Sequence, residues 1–319
     1  MKMHSLFPGT LVVIVLFCSS AEMARGQVKP LRELTVGAEI AALKHEAEEG
    51  NPEAAYKLGF RYLRGRGVSP DFNEAARWFK LAAAAGSADG EFSLGFLYEQ
   101  GKGVSRDYRQ AMAYYLAAAK QGHANAENNL ASMYQRGQGV RRDPASAMRW
   151  YRASAEQGNV TAECNLASLY FRGIGVAQDY SQAATWFRAA AKQGFAPAQE
   201  NLAWMFYTGT GVDVDFSEAA KWVRAAAEQG FARAELDLAY LYEQGKGVPL
   251  DYVSAYLWYK SAADRGEKRA GARLRSVSTV MTADQIKRAT AAAGQMHLPV
   301  STENDSSSEV IGQAFSERR

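Results

Sequence analysis

The side chains of this sequence best suited to metal ligation or nucleophilic catalysis are four histidines and two cysteines, and their spacing supports neither. His4, His45, His123 and His297 stand far apart, and none lies at metal-ligand spacing from a second His or a Cys. CxxC, HExxH and Gly-x-Ser-x-Gly are absent. Gly95-x5-Gly101-Lys102-Gly103 has the outline of a phosphate loop. It is one residue too long, however, and lacks the Ser or Thr that would hold magnesium. The acidic residues show no pairing pattern that would make one an acid and another a base. No catalytic residue, metal site or cofactor is therefore expected. An enzyme is the alternative class, and it would need a cluster that only folding assembles.

Charge narrows the partners. The formal net charge is +3, and 47% of residues are apolar. A nucleic-acid binder concentrates a larger basic excess on one face, so nucleic acid is not an expected partner. The pairs Arg64/Arg66 and Arg141/Arg142 sit among acidic residues and read as solvated loops. The oligomeric state is not legible.

Residues 1–26 read as a secretory signal peptide. Lys2 begins it, and Leu11 to Phe17 is an apolar run too short to span a bilayer. Ala24-Arg25-Gly26 fits the small-x-small rule for cleavage before Gln27, with Ser19-Ser20-Ala21 as a second candidate. Phe17 before Cys18 departs from a bacterial lipobox. No later stretch is apolar enough to insert in a membrane. Cleavage leaves Cys164 as the single cysteine, so no internal disulfide is expected. A periplasmic or secreted protein is the expectation.

The elements that would position any site come from an exact repetition. Gly50, Gly86, Gly122, Gly158, Gly194, Gly230 and Gly266 recur every 36 residues and bound six repeats over 51–266, without insertion or deletion. Leu58, Leu94, Leu130, Leu166, Leu202 and Leu238 form one column. Asp71, Asp107, Asp143, Asp179, Asp215 and Asp251 form another, each after a Gly-x-Gly-Val turn.

Each repeat reads as two helices. Ala54, Leu58 and Tyr62 form one stripe of a first helix over about 52–64. The Gly-x-Gly turn ends it, because glycine tolerates the left-handed conformation of a helix C-terminus. The second helix begins at the Asp, whose carboxylate accepts from free backbone N–H groups. Glu74, Gln110, Gln182 and Glu218, three residues later, predict reciprocal capping boxes. A lone two-helix unit cannot bury both faces, so the predicted fold is all-α: an α/α solenoid, a right-handed superhelix of two-helix repeats. Residues 27–50 read as an N-terminal capping helix and 267–298 as C-terminal capping helices, with Ala270 and Leu274 in register and Thr282/Gln285 as a capping pair. The Ser-rich tail 299–319 reads as disordered.

These columns resemble the Sel1-like repeat family of the tetratricopeptide superfamily. The carrying residues in the first repeat are Ala54, Leu58, Gly59, Tyr62, Gly65, Gly67, Val68, Asp71, Ala75, Trp78, Phe79, Ala82 and Ala83. The resemblance implies an adaptor that holds protein complexes together in a bacterial envelope or the endoplasmic reticulum. A periplasmic regulator of a membrane sensor is one form of it. Asn159-Val160-Thr161 and Asn304-Asp305-Ser306 are formal glycosylation sites that a eukaryotic source would use. The alternative is an envelope enzyme acting on β-lactams or peptidoglycan, although relatives linked to β-lactams are rich in cysteine pairs, which this chain lacks.

The resemblance also implies that first helices line a concave groove. The column through residue 57 then places Asn129, Asn165 and Asn201 at one height. An amide both donates and accepts, so such a ladder either bonds the main chain of an extended peptide or ties neighbouring repeats together. The column through residue 60 reads Phe60, Phe96, Ser132, Ser168, Trp204 and Tyr240. Its aromatics are either sticky flanks of the groove or core between repeats. Arg136 and Arg172 are candidates for meeting acidic side chains of a partner.

Overall fold

The computed structural model describes residues 31–293. The expected signal segment 1–26 and the tail 299–319 lie outside the described residues. Fifteen helices follow one another among those described. The first, α1, is Leu31–Glu48. Six pairs follow: α2 Pro52–Arg64 with α3 Phe72–Ala84, α4 Ala88–Gln100 with α5 Tyr108–Lys120, and α6 Ala124–Arg136 with α7 Pro144–Glu156. Then come α8 Val160–Arg172 with α9 Tyr180–Lys192, α10 Ala196–Thr208 with α11 Phe216–Ala227, and α12 Ala232–Gln244 with α13 Tyr252–Asp264. Helices α14, Ala270–Val280, and α15, Ala283–Ala293, close the array. From α1 to α14 each helix packs on the next, within a repeat and across the boundary to the following one, and α15 folds back onto α13. The molecule is thus an α/α solenoid.

Local chemistry sets every boundary. Gly65, Gly101, Gly137, Gly173, Gly209 and Gly245 end the first helices with φ between 62° and 73°. The following Asp caps the second helix through its side chain in all six repeats. Its own N–H is given to a first-helix carbonyl: Asp71 to Tyr62 and Asp251 to Tyr242, both at 3.0 Å. This bond pins the turn, and it corrects the capping-box expectation. With the Asp N–H already committed, Glu74 and Glu218 accept instead from the indoles of Trp78 and Trp222, at 3.1 and 3.0 Å. The reciprocal box does form at Thr282/Gln285, where no such carbonyl competes.

The core runs the length of the array. The leucine column is buried throughout, as are Ala75, Phe79 and Ala82 with their equivalents. Truncating one such leucine to alanine would cost about 2–5 kcal/mol. The alanines let helices approach, and the aromatic column through Phe79 fills the space that remains.

That aromatic column has a partner that the sequence hides. Where it carries tyrosine, a polar acceptor faces it from the first helix. Tyr115 donates to Glu99 at 2.7 Å, Tyr151 to Gln135 at 2.9 Å and Tyr259 to Glu243 at 2.5 Å. Where it carries Phe79, Phe187 or Val223, the facing residue is Leu63, Phe171 or Tyr207. The pairing follows from the cost of burying a hydroxyl without an acceptor. Burial pushes the Tyr151 hydroxyl up to about 12.

At the N-terminal end the pattern turns polar. The column of Leu97, Met133, Leu169, Met205 and Leu241 is buried, but in the first repeat it holds Arg61. Arg61 pairs at 3.0 Å with Glu39 of α1. An array needs an outer face that tolerates water, and this ion pair supplies it.

Candidate interaction surface

Successive first helices lie side by side and touch through their side chains. The amide column is tied into this contact. Asn128 Nδ2 donates to Asn129 Oδ1 at 3.2 Å, and Asn165 Nδ2 donates to Asn128 Oδ1 at 3.3 Å. Asn159 Nδ2 reaches Asn125 Oδ1 at 2.7 Å while its own Oδ1 caps α8. Asn129 and Asn165 remain half-buried and face the surface in part. Asn201 is only 2% exposed and Asp237 1%. The structure therefore presents two amides of the ladder, bonded across repeats 3 and 4, and encloses the third.

The aromatic column divides in the same way. Phe60, Phe96 and Trp204 are half-buried, while Tyr240 is buried. Arg64 and Arg66 both lie over the Phe60 ring, each 5.6 Å from its centroid. Beside them a cleft of about 610 Å3 opens between α1 and α2, lined by Glu39, Leu43, Tyr56, Phe60 and Arg61 among others. Trp204 stands edge-on to Phe171 at 5.7 Å, and Phe171 edge-on to Tyr180 at 5.0 Å. Arg136 and Arg172 are exposed at the ends of their helices. Of the predicted residues, Phe60 and Phe96 in repeats 1 and 2 and Trp204 in repeat 5 are thus half-buried, as are Asn129, Ser132, Asn165 and Ser168 in the repeats between, whereas Asn201 and Tyr240 are enclosed.

Ion pairs and buried acids tie these helices together. Glu200 of α10 pairs with Arg233 of α12 at 2.7 Å. A second set, missed in the sequence, clamps the two helices of repeats 2 to 6. Gln121, Gln157 and Gln193 each donate to a carboxylate thirty residues earlier, on Glu91, Glu127 and Glu163, at 2.8, 2.7 and 2.9 Å. Gln229 bonds Gln199 at 2.9 Å, and Arg265 bonds Glu235 at 3.0 Å. Burial raises the carboxyls of Glu91, Glu127, Glu163 and Glu235. The signal was internal covariation: the first repeat has alanine at both positions, Ala55 and Ala85.

His123 serves structure. Its Nδ1 caps α6 by accepting from Ala126 at 3.2 Å, and its ring stacks on Phe92 at 4.6 Å. Lys102, from the phosphate-loop-like segment, packs its ammonium 5.6 Å from the Phe72 ring. Among the described residues no three His, Cys, Asp or Glu side chains converge as a metal site. No helix among them is long and apolar enough to cross a membrane.

Comparison with known proteins agrees with this architecture. A protective antigen present in uropathogenic Escherichia coli strains, displaying an SLR fold, superposes with a TM-score of 0.74 at 33% identity. The match covers 80% of this chain and 56% of the antigen, so the chain spans little more than half of that protein's length. A Sel1 repeat protein from Oxalobacter formigenes superposes with a TM-score of 0.61 at 28% identity, over 73% of this chain and 97% of that one. No curated protein matches the chain in sequence. The model of the Sel1 repeat matches six times in succession, over 52–87, 88–123, 124–159, 160–195, 196–231 and 232–267, in the register of the helix pairs. The chain belongs to the Sel1 repeat family.

Proposed function

We propose that this solenoid is a protein-binding scaffold of the cell envelope or its exterior, which holds a protein or peptide segment against a strip on its first helices. The observation that carries the reading is the strip itself. Half-buried Phe60, Phe96 and Trp204 flank a polar stretch of Asn129, Ser132, Asn165 and Ser168, on one side of consecutive repeats. Aromatic anchors beside adaptable polar groups suit recognition of another chain. Repetition supplies the length such a partner needs, since each repeat offers the same positions one step further on. The reading assigns binding and no reaction. The signal-like composition of residues 1–26 supports export, and N-terminal sequencing of the secreted or periplasmic fraction would show Gln27 as the first residue.

The test is affinity capture from envelope extract with the parent protein beside an Asn129→Ala/Asn165→Ala variant, both first shown to be equally helical by circular dichroism. A protein retained by the parent and lost by the folded variant supports the strip. Equal capture by both places binding elsewhere on the solenoid. Capture by neither counts against a scaffold.

A further inference from the structure

The joints between repeats 4 and 5 and between repeats 5 and 6 carry aromatic rings at the same three positions, one full period apart. In the later joint the rings are Tyr207, Phe216 and Tyr240, and the protein fills the space between them with its own cation. Lys246 Nζ lies 5.0, 5.3 and 6.0 Å from the three ring centroids and donates to the Tyr207 hydroxyl at 3.0 Å. Tyr207 and Phe216 meet edge-on, 5.3 Å apart at 61°. In the earlier joint Phe171, Tyr180 and Trp204 occupy the equivalent positions. Phe171 and Tyr180 meet in the same way, 5.0 Å apart at 64°. The position of Lys246, however, is taken there by Thr210. The two turns share a backbone: Thr210 N–H bonds Met205 O at 3.1 Å as Lys246 N–H bonds Leu241 O at 3.1 Å. The Thr210 side chain is too short to reach the rings as lysine does, and its hydroxyl bonds Thr208 at 2.7 Å.

We propose that Phe171, Tyr180 and Trp204 form a cage for a lysine or arginine side chain of the bound partner, the outside counterpart of Lys246. The proposal deepens the scaffold reading and rests on it for the source of the cation. Aromatic faces attract a cation through their quadrupole, most strongly where water is partly excluded. Tyr180 is 36% exposed, so the cage opens to the surface. Charge agrees with the assignment. The turn that carries Thr210 has no Lys or Arg, and it alone of the six turns holds a second carboxylate, Asp213, beside the capping Asp215. A neutral apolar partner would gain nothing from that carboxylate.

The experiment titrates the full chain with the peptide acetyl-Gly-Gly-Lys-Gly-Gly-amide, beside the same peptide with norleucine in place of lysine. It follows the indole N–H resonance of Trp204, assigned by its loss in Trp204→Phe. The lysine peptide should shift this resonance saturably and the norleucine peptide should not. Thr210→Lys places in the cage the residue its sister turn already carries, and should weaken the lysine peptide by about tenfold. Tyr180→Ala, at an exposed position, should do the same without adding a charge. Lys246→Thr should open the second cage, seen as peptide-dependent shifts of the Tyr207 ring. Equal shifts with both peptides, unchanged binding by Thr210→Lys and Tyr180→Ala, or no saturable shift would overturn the proposal. A parent that captures a partner through Asn129 and Asn165, yet shows no lysine-dependent shift at Trp204, loses the cage and keeps the scaffold. A lysine-dependent shift without any captured partner does the reverse.

Discussion

A β-carbon added to Gly247 would lie 1.9 Å from the carbonyl oxygen of Phe216, the first residue of the second helix in the preceding repeat. The same approach recurs at Gly103 on Phe72, at 2.0 Å, and at Gly139 on Tyr108, at 2.4 Å. In repeats 2 to 6 the two glycines of the Gly-x-Gly turn therefore have different duties. The first ends a helix within its own repeat, and the second lets one repeat dock on the backbone of another. Gly86, which closes the first repeat at φ 84°, has nothing within 4 Å of such a β-carbon. Gly86→Ala should cost about 1–2 kcal/mol for the left-handed conformation alone. Gly139→Ala should cost more than about 3 kcal/mol, because repeats must separate as well. Urea unfolding of the two variants checks this, and equal losses would show that the docking contact carries no energy.

The caps give a second contrast. Asp215 accepts from the N–H groups of Ser217 and Glu218 at 2.9 and 3.0 Å, whereas Glu218 returns nothing to Asp215 and holds the Trp222 indole. Asp215→Ala should destabilise the array by about 1 kcal/mol. Glu218→Ala should cost no more than about 0.5 kcal/mol, the loss of the Trp222 hydrogen bond and of an exposed ion pair with Lys221 at 2.8 Å. Thermal melts of the pair would expose a reciprocal box if the losses came out alike.

The carboxylate clamps predict a pH dependence. Burial raises Glu163 above its ordinary value of 4.5, although the Gln193 amide opposes the shift. A group raised in the folded state contributes stability that is present below its unfolded value and lost as pH climbs through the folded one. The clamps should thus weaken the fold progressively above pH 4.5. Glu163→Gln copies the Gln199–Gln229 pair that the array already uses. It should raise the urea midpoint at pH 8 and leave it unchanged at pH 4. Asp143 works in the opposite sense: hydrogen bonds from Ser146 hold its carboxyl down, so its contribution persists at neutral pH and fades in acid. A Glu163→Gln effect that is the same at both pH values would rule out the carboxyl as its source.

Cys164 forms no disulfide and is buried completely in α8. A disulfide reagent should label it only as fast as the fourth repeat opens, and at once in concentrated urea. Rapid labelling of folded protein would mean that the middle of the solenoid opens far more readily than its packing indicates.

Much of this molecule was legible because its code is local and repeated. Leu58, Tyr62, Gly65 and Asp71 lie within one helix and one turn, and six copies separate the pattern from chance. The Glu–Gln clamps and the Tyr115–Glu99 type of pair span sixteen or thirty residues and look like ordinary solvated side chains in any single repeat. Only their joint variation between repeats marks them. The capping boxes failed for a related reason. The rule considers the helix alone, and it was the neighbouring helix that supplied the carbonyl for the Asp N–H.

The sequence by itself determined the helix pairs, their boundaries, the solenoid and the family, since each follows from propensity, capping and period. The tertiary structure decided which members of a column face a partner. Asn129 and Asn201 share one position in the repeat, yet the first is half-buried and the second enclosed. The difference goes with the size of the residue three positions on: serines in repeats 3 and 4, Trp204 and Tyr240 in repeats 5 and 6. Exposure depends on the volumes of side chains that neighbouring repeats bring to the same place, and a column read alone contains no such volumes.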